Sequence, residues 1–527
     1  MPREPEGLRP GRHWAFLGIF ALLLAVAIAP AALAEYPGLI NYPNLVARVF
    51  IISSLPSSDL LAQYYQLHSK LVPNLAFDVT GPLLMALGLP AEQAGRLFTA
   101  LSIVSLCGGT VLLAWAAQRQ RPWLALGIFA FAINGYLIDG FLNYIFGLGL
   151  ALTALALWLL KTRETVWTAV LFSLLPCLLL LCHLIAFGVY ALGAAAFLLN
   201  DWRAGRQTTT GSKLLREALC FLPAVLMYAL FFEHRGTLGL HWENPLKTKL
   251  AGLLSLFCAT GGREWDLALI ALTCAAAAFL WHRSGITFSS RGAAAATAAM
   301  LAAFVLAPNF ALGFWFLDSR LALPLLCFAL AFARPRNPLA ITPKAAALML
   351  LGLATVAVQR AAATAQQWQL ASQTYGEVRR AMTPIEPGAR IATVVRNEGS
   401  GPQLAAAQNS ASFAIVDHSA FVPDLDAFPL SQDSIAFNSN VVDDARSFRG
   451  LMIGEGSGPA PDWAQLAARF DYVLFLGGEA AETPATFRPV TAGKNFLLLS
   501  ARRTALSAPP RAPGGSSGTG GAVAASP

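Results

Sequence analysis

Carboxylates are scarce in the apolar parts of this chain, and two stand where chemistry is feasible. Glu35 lies in AEYPGLINYPNLVAR (Ala34 to Arg48), just after the first long apolar run, and Asp78 lies in PNLAFDVTGP. A carboxylate so placed can take the proton of an attacking hydroxyl. Asp78 is flanked by apolar residues, the setting in which a carboxylate is tuned for proton transfer. At the outer surface the cations able to hold a phosphate are Arg48, His234, Arg235 and Arg320, the last two residues after Asp318. Further polar groups sit in or beside apolar runs: Tyr42, Asn44, Asn143, Tyr144 next to Gly147 and Gly149, and His183 inside LLLLCHLIAFG. Such groups line cavities or join helices. Each has an ordinary reading beside the chemical one. Glu35 is solvated at a helix end, Asp78 caps a turn, Asp318 pairs with Arg320, and the arginines anchor at headgroups.

The elements that must position these residues are membrane spans. The 527 residues are 56% hydrophobic and 13% charged, with a mean hydropathy of +0.55. A soluble domain carries about a quarter charged residues. A spanning helix needs about 20 mostly apolar residues, and that rule gives about eleven candidates. They cover 14–34, 97–117, 123–139, 143–160, 166–181, 183–200, 214–232, 266–282, 292–308, 319–333 and 343–359. Between them basic residues cluster: Arg119 with Arg121, Lys161 with Arg163, Arg203 with Arg206, His282 with Arg283, and Arg334 with Arg336. Placing these loops inside puts the N-terminus in the cytoplasm and the C-terminal region outside. The same pattern accounts for the excess of 37 basic over 29 acidic residues without a nucleic-acid partner. Arg9, Arg12 and Ala32-Leu33-Ala34 resemble a signal peptide, but the apolar run is long enough to span and reads as a retained helix. The seven cysteines lie in or beside apolar runs with no C-x-x-C pair, so they read as packing residues.

This divides the chain into a cytoplasmic 1–13, a bundle over 14–359, an outer α/β domain over 360–506 and a disordered tail over 507–527. The first outer loop covers 35–96, and another covers 233–265. In the first, PNLVARVFIISSL and SSDLLAQYYQLHSKL read as amphipathic helices along the membrane surface, with Tyr36, Tyr42, Tyr64 and Tyr65 at headgroup depth. In the outer domain RIATVV, SFAIVDH, FDYVLFLG and NFLLLSA read as buried strands, with TYGEVRRAM and DWAQLAARF as helices between them. No G-x-G-x-x-G and no nucleophile elbow accompanies these strands.

Several stretches in order along the chain carry a family resemblance: NYPNLVAR (Asn41 to Arg48), YYQLHSKLVPNLAFDVTGPL (Tyr64 to Leu83), AGRLF (Ala94 to Phe98), GFLNYIFGLGLALTALALWL (Gly140 to Leu159) and DSRLALP (Asp318 to Pro324). The chain resembles a largely uncharacterised group of bacterial membrane proteins in the GT-C glycosyltransferase class. That resemblance implies an all-α polytopic bundle of about eleven transmembrane helices with a small C-terminal α/β extracytoplasmic domain, in the bacterial inner membrane. It implies transfer of a sugar from a polyprenyl-phosphate-linked donor to an envelope glycan, lipid or protein on the outer face. The group's first stretch usually reads Asp-Tyr-Pro-Asn-His-Leu-Ala-Arg. Here Asn41 stands at the Asp position and Leu45 at the His position. An amide is no general base. Glu35 and Asp78 are the candidate replacements. The alternative is a non-catalytic relative that binds a lipid-linked glycan or an envelope partner. A transporter comes third, since the spans lack buried charge relays. The sequence leaves open whether a divalent cation takes part.

Overall fold

The computed structural model describes residues 10–68, 71–161, 165–205, 210–232, 239–258, 263–311, 314–396, 407–425, 427–428, 434–454 and 460–502. His234, Arg235 and the tail 507–527 lie outside them. The bundle is built from α1 (Pro10–Leu33), α2 (Tyr42–Ser54), α3 (Ala76–Ala86), α4 (Ala91–Gln118), α5 (Leu142–Leu160), α6 (Val166–Cys182) and α7 (Leu184–Arg203). It continues with α8 (Gly211–Leu219), α9 (Leu222–Phe231), α10 (Pro245–Ser255), α11 (Arg263–Ser284), α12 (Arg291–Leu306), α13 (Ala322–Phe332) and α14 (Pro343–Met382). Among the described residues seven helical segments are long and apolar enough to cross a membrane, with α8 and α9 counted as one. The shorter apolar helices α3, α6 and α12 pack among them.

Small residues set the closest packing. A Cβ added to Gly109 of α4 would lie 2.3 Å from the carbonyl oxygen of Gly149 in α5. In a membrane, where lipid is as apolar as leucine, such backbone approach replaces hydrophobic driving force. The pair is reinforced by Ser105 Oγ, which donates to Phe146 O at 2.9 Å. It fixes the end of α5 that carries Asn143 and Tyr144. Helices α6 and α7 are joined by His183 alone, in extended conformation. The shortage of linker between these two spans is thus met by a one-residue break.

The expected helix over 123–139 does not form. The chain runs as a 3-10 helix (Trp123–Ala130), irregular backbone, and one helical turn (Gly135–Ile138). Non-α backbone at membrane depth is tolerated only inside protein. Here 128–134 are all buried, and Asn134 supplies the helix cap by accepting from Leu137 N at 3.1 Å.

Beyond the bundle a five-stranded sheet contains β2 (Ile391–Arg396), β4 (Leu451–Ile453), β5 (Tyr472–Leu476), β6 (Phe487–Ala492) and β7 (Phe496–Ala501), in the order β6-β7-β5-β2-β4. The core strands β5, β2 and β4 are parallel, and β7 and β6 form an antiparallel hairpin on the edge. SFAIVDH is not a strand. It is a 3-10 turn followed by α15 (Phe413–His418), packed on α2. Its apolar run is buried by a neighbouring helix rather than by sheet partners, and a short apolar run does not distinguish the two. Helix α14 does not stop at the membrane; it is 40 residues long in all and reaches the sheet domain.

The first loop also differs from expectation. PNLVARVFIISSL forms α2, but nine of its residues are buried, so it is a central helix and not a surface one. SSDLLAQYYQLHSKL gives one helical turn (Asp59–Ala62) and then β1 (Tyr65–Leu67), which pairs antiparallel with β3 (Ile435–Phe437). Tyr36, Tyr42 and Tyr65 are buried against protein instead of lying among lipid headgroups. Tyr65 Oη donates to Ala420 O at 3.0 Å and Tyr64 Oη to Gly388 O at 2.7 Å. The reason is a cover the sequence did not reveal: the C-terminal domain folds down onto this loop.

Candidate functional site

Most of the first-loop candidates join that cover to the bundle. Arg48 Nε donates to Asp78 Oδ1 at 2.7 Å in a buried ion pair, and Ser434 Oγ donates to Asp78 Oδ2. Asn44 accepts from Ser412 Oγ at 2.6 Å and donates to Asp424 O at 3.3 Å. Tyr42 Oη donates to Glu92 O at 2.5 Å. Glu35 is exposed and stands beside the Tyr36 hydroxyl, which accepts from Arg379 Nη1 at 3.0 Å. Arg379 continues to Glu92 and Asp417, tying α14, α4 and α15 together. Asn143 accepts from Phe77 N at 2.8 Å and donates to Asn74 O at 2.6 Å, holding the start of α3.

A second group converges between the ends of α5, α7, α10 and α13. The turn after the third crossing carries Asp139 and Gly140. Gly140 has φ +85°, and a Cβ there would lie 2.9 Å from the Asn41 Cβ. Ile40 N donates to Ile138 O at 2.9 Å. Asp139 therefore sits in the turn that presses on Asn41, the position where the resembling group has its Asp. Burial raises the Asp139 carboxyl above the usual carboxylate value, and the nearby Arg320 charge works the other way.

Arg320 caps this group. Its guanidinium carbon lies 4.1 Å from the centroid of the Phe141 ring. Among the described residues no carboxylate comes within 4.0 Å of it, and its Nε is buried without a hydrogen-bond partner. The expected Asp318–Arg320 contact is absent, because Asp318 turns the other way. Asp318 is fully buried and accepts from Thr248 Oγ1 at 2.5 Å, Lys249 Nζ at 3.2 Å and Ser319 N at 2.8 Å. Two tyrosines hold the Arg320 backbone in place. Tyr144 Oη donates to Arg320 O at 2.5 Å, and Tyr136 Oη to Ser319 O at 2.5 Å. His183 packs edge-on to Tyr144, ring centroids 5.5 Å apart, and its Nδ1 accepts from Ile185 N at 3.2 Å. That bond places the neutral ring's proton on Nε2.

No protein-family model matches the sequence, and no curated protein matches it. A solved structure does match in three dimensions. ArnT from Cupriavidus metallidurans, crystallised bound to undecaprenyl phosphate, superposes with a TM-score of 0.50 over 96% of this chain and 100% of that one, at 12% identity. The chain has an ArnT-like fold. ArnT is a GT-C glycosyltransferase, so the GT-C-like architecture inferred from the quoted stretches is the one observed.

The structure thus separates the sequence candidates. Tyr144, His183, Arg320 and Asp318 come together, with Asn41 at the edge of the group. Arg48, Asp78, Asn44, Tyr42, Asn143 and Glu35 do not join it. Asp139, Tyr136 and Lys249 were missed. Asp139-Gly140, an acid and a turn residue closing an apolar run, was the available signal. Lys249 had none. Among the described residues no three His, Cys, Asp or Glu side chains gather as a metal ion requires.

Proposed function

We propose that this chain is a membrane glycosyltransferase that moves a sugar from a polyprenyl-phosphate-linked donor to a cell-envelope acceptor at the end of the bundle facing the sheet domain. That end is the outer, periplasmic face in this reading. The observation that carries it is Arg320: a largely buried guanidinium with no contact carboxylate among the described residues, at the mouth of a GT-C-like bundle. A buried cation without an anion is costly unless a ligand supplies one. A lipid phosphate does so, and the likeness to a structure bound to undecaprenyl phosphate supports that choice.

In this scheme Arg320 binds the donor phosphate and stabilises it as the leaving group, while His183 donates from Nε2. Asp139 takes the proton of the acceptor hydroxyl as its oxygen attacks the anomeric carbon. Its raised carboxyl suits a base whose pKa must approach the working pH. Tyr136 and Tyr144 hold the backbone that aims Arg320. Glu35 and Asp78 are assigned structural parts, since one is exposed in a charge network and the other is locked to Arg48.

The test is sugar transfer by the protein in nanodiscs, from labelled polyprenyl-phosphate sugars to an envelope extract. Asp139→Asn is expected to lower the rate by about 10²–10⁴-fold, and Glu35→Gln to leave it within about threefold. Equal rates in wild type and Asp139→Asn would remove the assigned base. Asn41 favours a second reading, a non-catalytic binder. It predicts no transfer by wild type and a gain only in Asn41→Asp with Leu45→His.

A further inference from the structure

The acid and the cation of this scheme stand near each other without meeting. Asp139 and Arg320 each feel the other's charge. Yet among the described residues no carboxylate comes within 4.0 Å of Arg320, and the Asp139 carboxylate makes no hydrogen bond. A half-buried carboxylate and a guanidinium ordinarily close into a charge-assisted pair. Something must hold these two apart. Three other arginines packed on aromatic rings show the ordinary case. Arg379, Arg390 and Arg396 lie 5.0, 5.1 and 5.5 Å from the rings of Phe413, Phe421 and Phe475, and each also reaches a carboxylate. Arg320 lies closer to its ring, 4.1 Å from the centroid of Phe141, and reaches none.

The backbone fixes that ring. Phe141 follows Asp139 and Gly140 and directly precedes α5; its N donates to Tyr136 O at 3.0 Å, and its carbonyl accepts from Ile145 N at 3.1 Å. Tyr144, three residues on and on the same face of the helix start, donates to Arg320 O. One short stretch, Asp139 to Tyr144, thus carries the acid and grips the arginine at both backbone and guanidinium. An aromatic ring takes the face of a guanidinium, whose N–H donors point outward in its plane. A phosphate approaching in that plane meets donors for which the ring does not compete. A carboxylate bound there would occupy them.

We infer that Phe141 is a positioning residue: its ring holds the Arg320 guanidinium off Asp139, leaving the cation for a phosphate and the carboxylate for a proton. What the two groups then do rests on the transfer reading; the spacing does not. Replacing the ring by a side chain with no π face lets Arg320 close on Asp139. The ion pair then lowers the Asp139 carboxyl, because an adjacent guanidinium favours its charged form. The other titratable and charged groups around the pair are held elsewhere. Tyr136 and Tyr144 give their hydroxyls to the carbonyls of Ser319 and Arg320, His183 packs on Tyr144, and Asp318 is taken by Thr248 and Lys249.

The experiment compares the full chain in nanodiscs as wild type, as Phe141→Leu, and with a trifluorinated phenylalanine in place of Phe141. Two quantities are read: the infrared titration of the Asp139 carboxyl, whose band is the one absent from Asp139→Asn, and the binding of undecaprenyl phosphate. Phe141→Leu is expected to move the Asp139 midpoint down by about 1–3 pH units. It should also raise the Kd for undecaprenyl phosphate by about 30-fold, the worth of a desolvated cation–π contact. The trifluorinated ring, alike in shape but with a weaker negative face, should move both quantities the same way and by less. A Phe141→Leu protein with the wild-type midpoint and affinity overturns the inference. So does a trifluorinated protein identical to wild type beside a shifted Phe141→Leu, which would make the ring a filler of space. Should Phe141→Leu fail to fold, the trifluorinated protein alone decides. A shifted midpoint together with undiminished transfer by Asp139→Asn would keep the spacer and remove only the assigned base.

Discussion

Two buried arginines in this protein should respond oppositely to the same substitution. Arg48 is contacted by Asp78 at 2.7 Å, and both side chains are almost fully buried. Arg48→Met leaves the Asp78 carboxylate in the interior without its counter-charge, which costs about 3–5 kcal/mol. Among the described residues Arg320 has no carboxylate in contact, and only the Asp139 carboxyl feels its charge from further off, so Arg320→Met breaks no ion pair and relieves the burial of a cation. Its melting temperature is expected to hold or rise. Its ligand affinity should fall instead. Losing one charge-assisted bond to a phosphate is worth about 1.5–3 kcal/mol, or about 10- to 140-fold in Kd. The assay pairs thermal unfolding in detergent with titration of undecaprenyl phosphate. Arg48→Met should unfold early, and adding Asp78→Leu should restore much of the loss because no charge is then left alone. An Arg320→Met protein that binds undecaprenyl phosphate as wild type does, and melts as early as Arg48→Met, would refute the reasoning.

Three further outcomes follow from the same geometry. If transfer needs the ionised Asp139, its rate should fall as pH falls through a midpoint above the ordinary carboxylate value of about 3.9, and Asp139→Asn should flatten that limb. The same raised carboxyl makes ionisation unfavourable to folding: this group's contribution to stability is fullest below the unfolded value and declines as pH rises through the folded one. Gly140→Ala places a Cβ against Asn41 at φ +85°, so it should cost about 1–3 kcal/mol and shift Asp139, read as lost transfer with donor affinity retained. Asn44→Ala removes a bond to Ser412 and one to Asp424 O, and should hasten proteolysis between the sheet domain and the bundle without altering spectroscopic helix content.

The membrane spans could be read from composition because lipid imposes one rule, length of apolar run, that acts residue by residue. The same rule misjudged 123–139. Its apolar content is that of a span, but burial in protein lets the backbone leave the α-helix, and sequence does not record what covers a segment. Coverage also explains the tyrosines of the first loop. Tyr65 looks identical in sequence whether it meets lipid or, as here, Ala420 and Val422 across 355 residues of chain. Among the site residues, Tyr144, His183 and Arg320 stood out as polar groups in apolar surroundings, and they do converge. Asp78 stood out for the same reason yet is consumed by Arg48. Polarity in an apolar context flags a residue with a partner, and only geometry tells a protein partner from a ligand. Asp139 was hidden because it ends a segment that read as a continuous helix.

Helix α14 holds 40 residues, about 60 Å at 1.5 Å each, twice the roughly 30 Å of hydrocarbon it has to cross. The upper half is therefore a stiff mast standing clear of the lipid, with Arg379 near its tip gripping Glu92 and Asp417. Tilting such a rod by about 10° within the bilayer would sweep the tip sideways by about 5 Å on that 30 Å arm. Any change of tilt that the packing around α14 allows within the bilayer would then be felt at the height of the sheet as a lateral displacement at the Arg379 contacts.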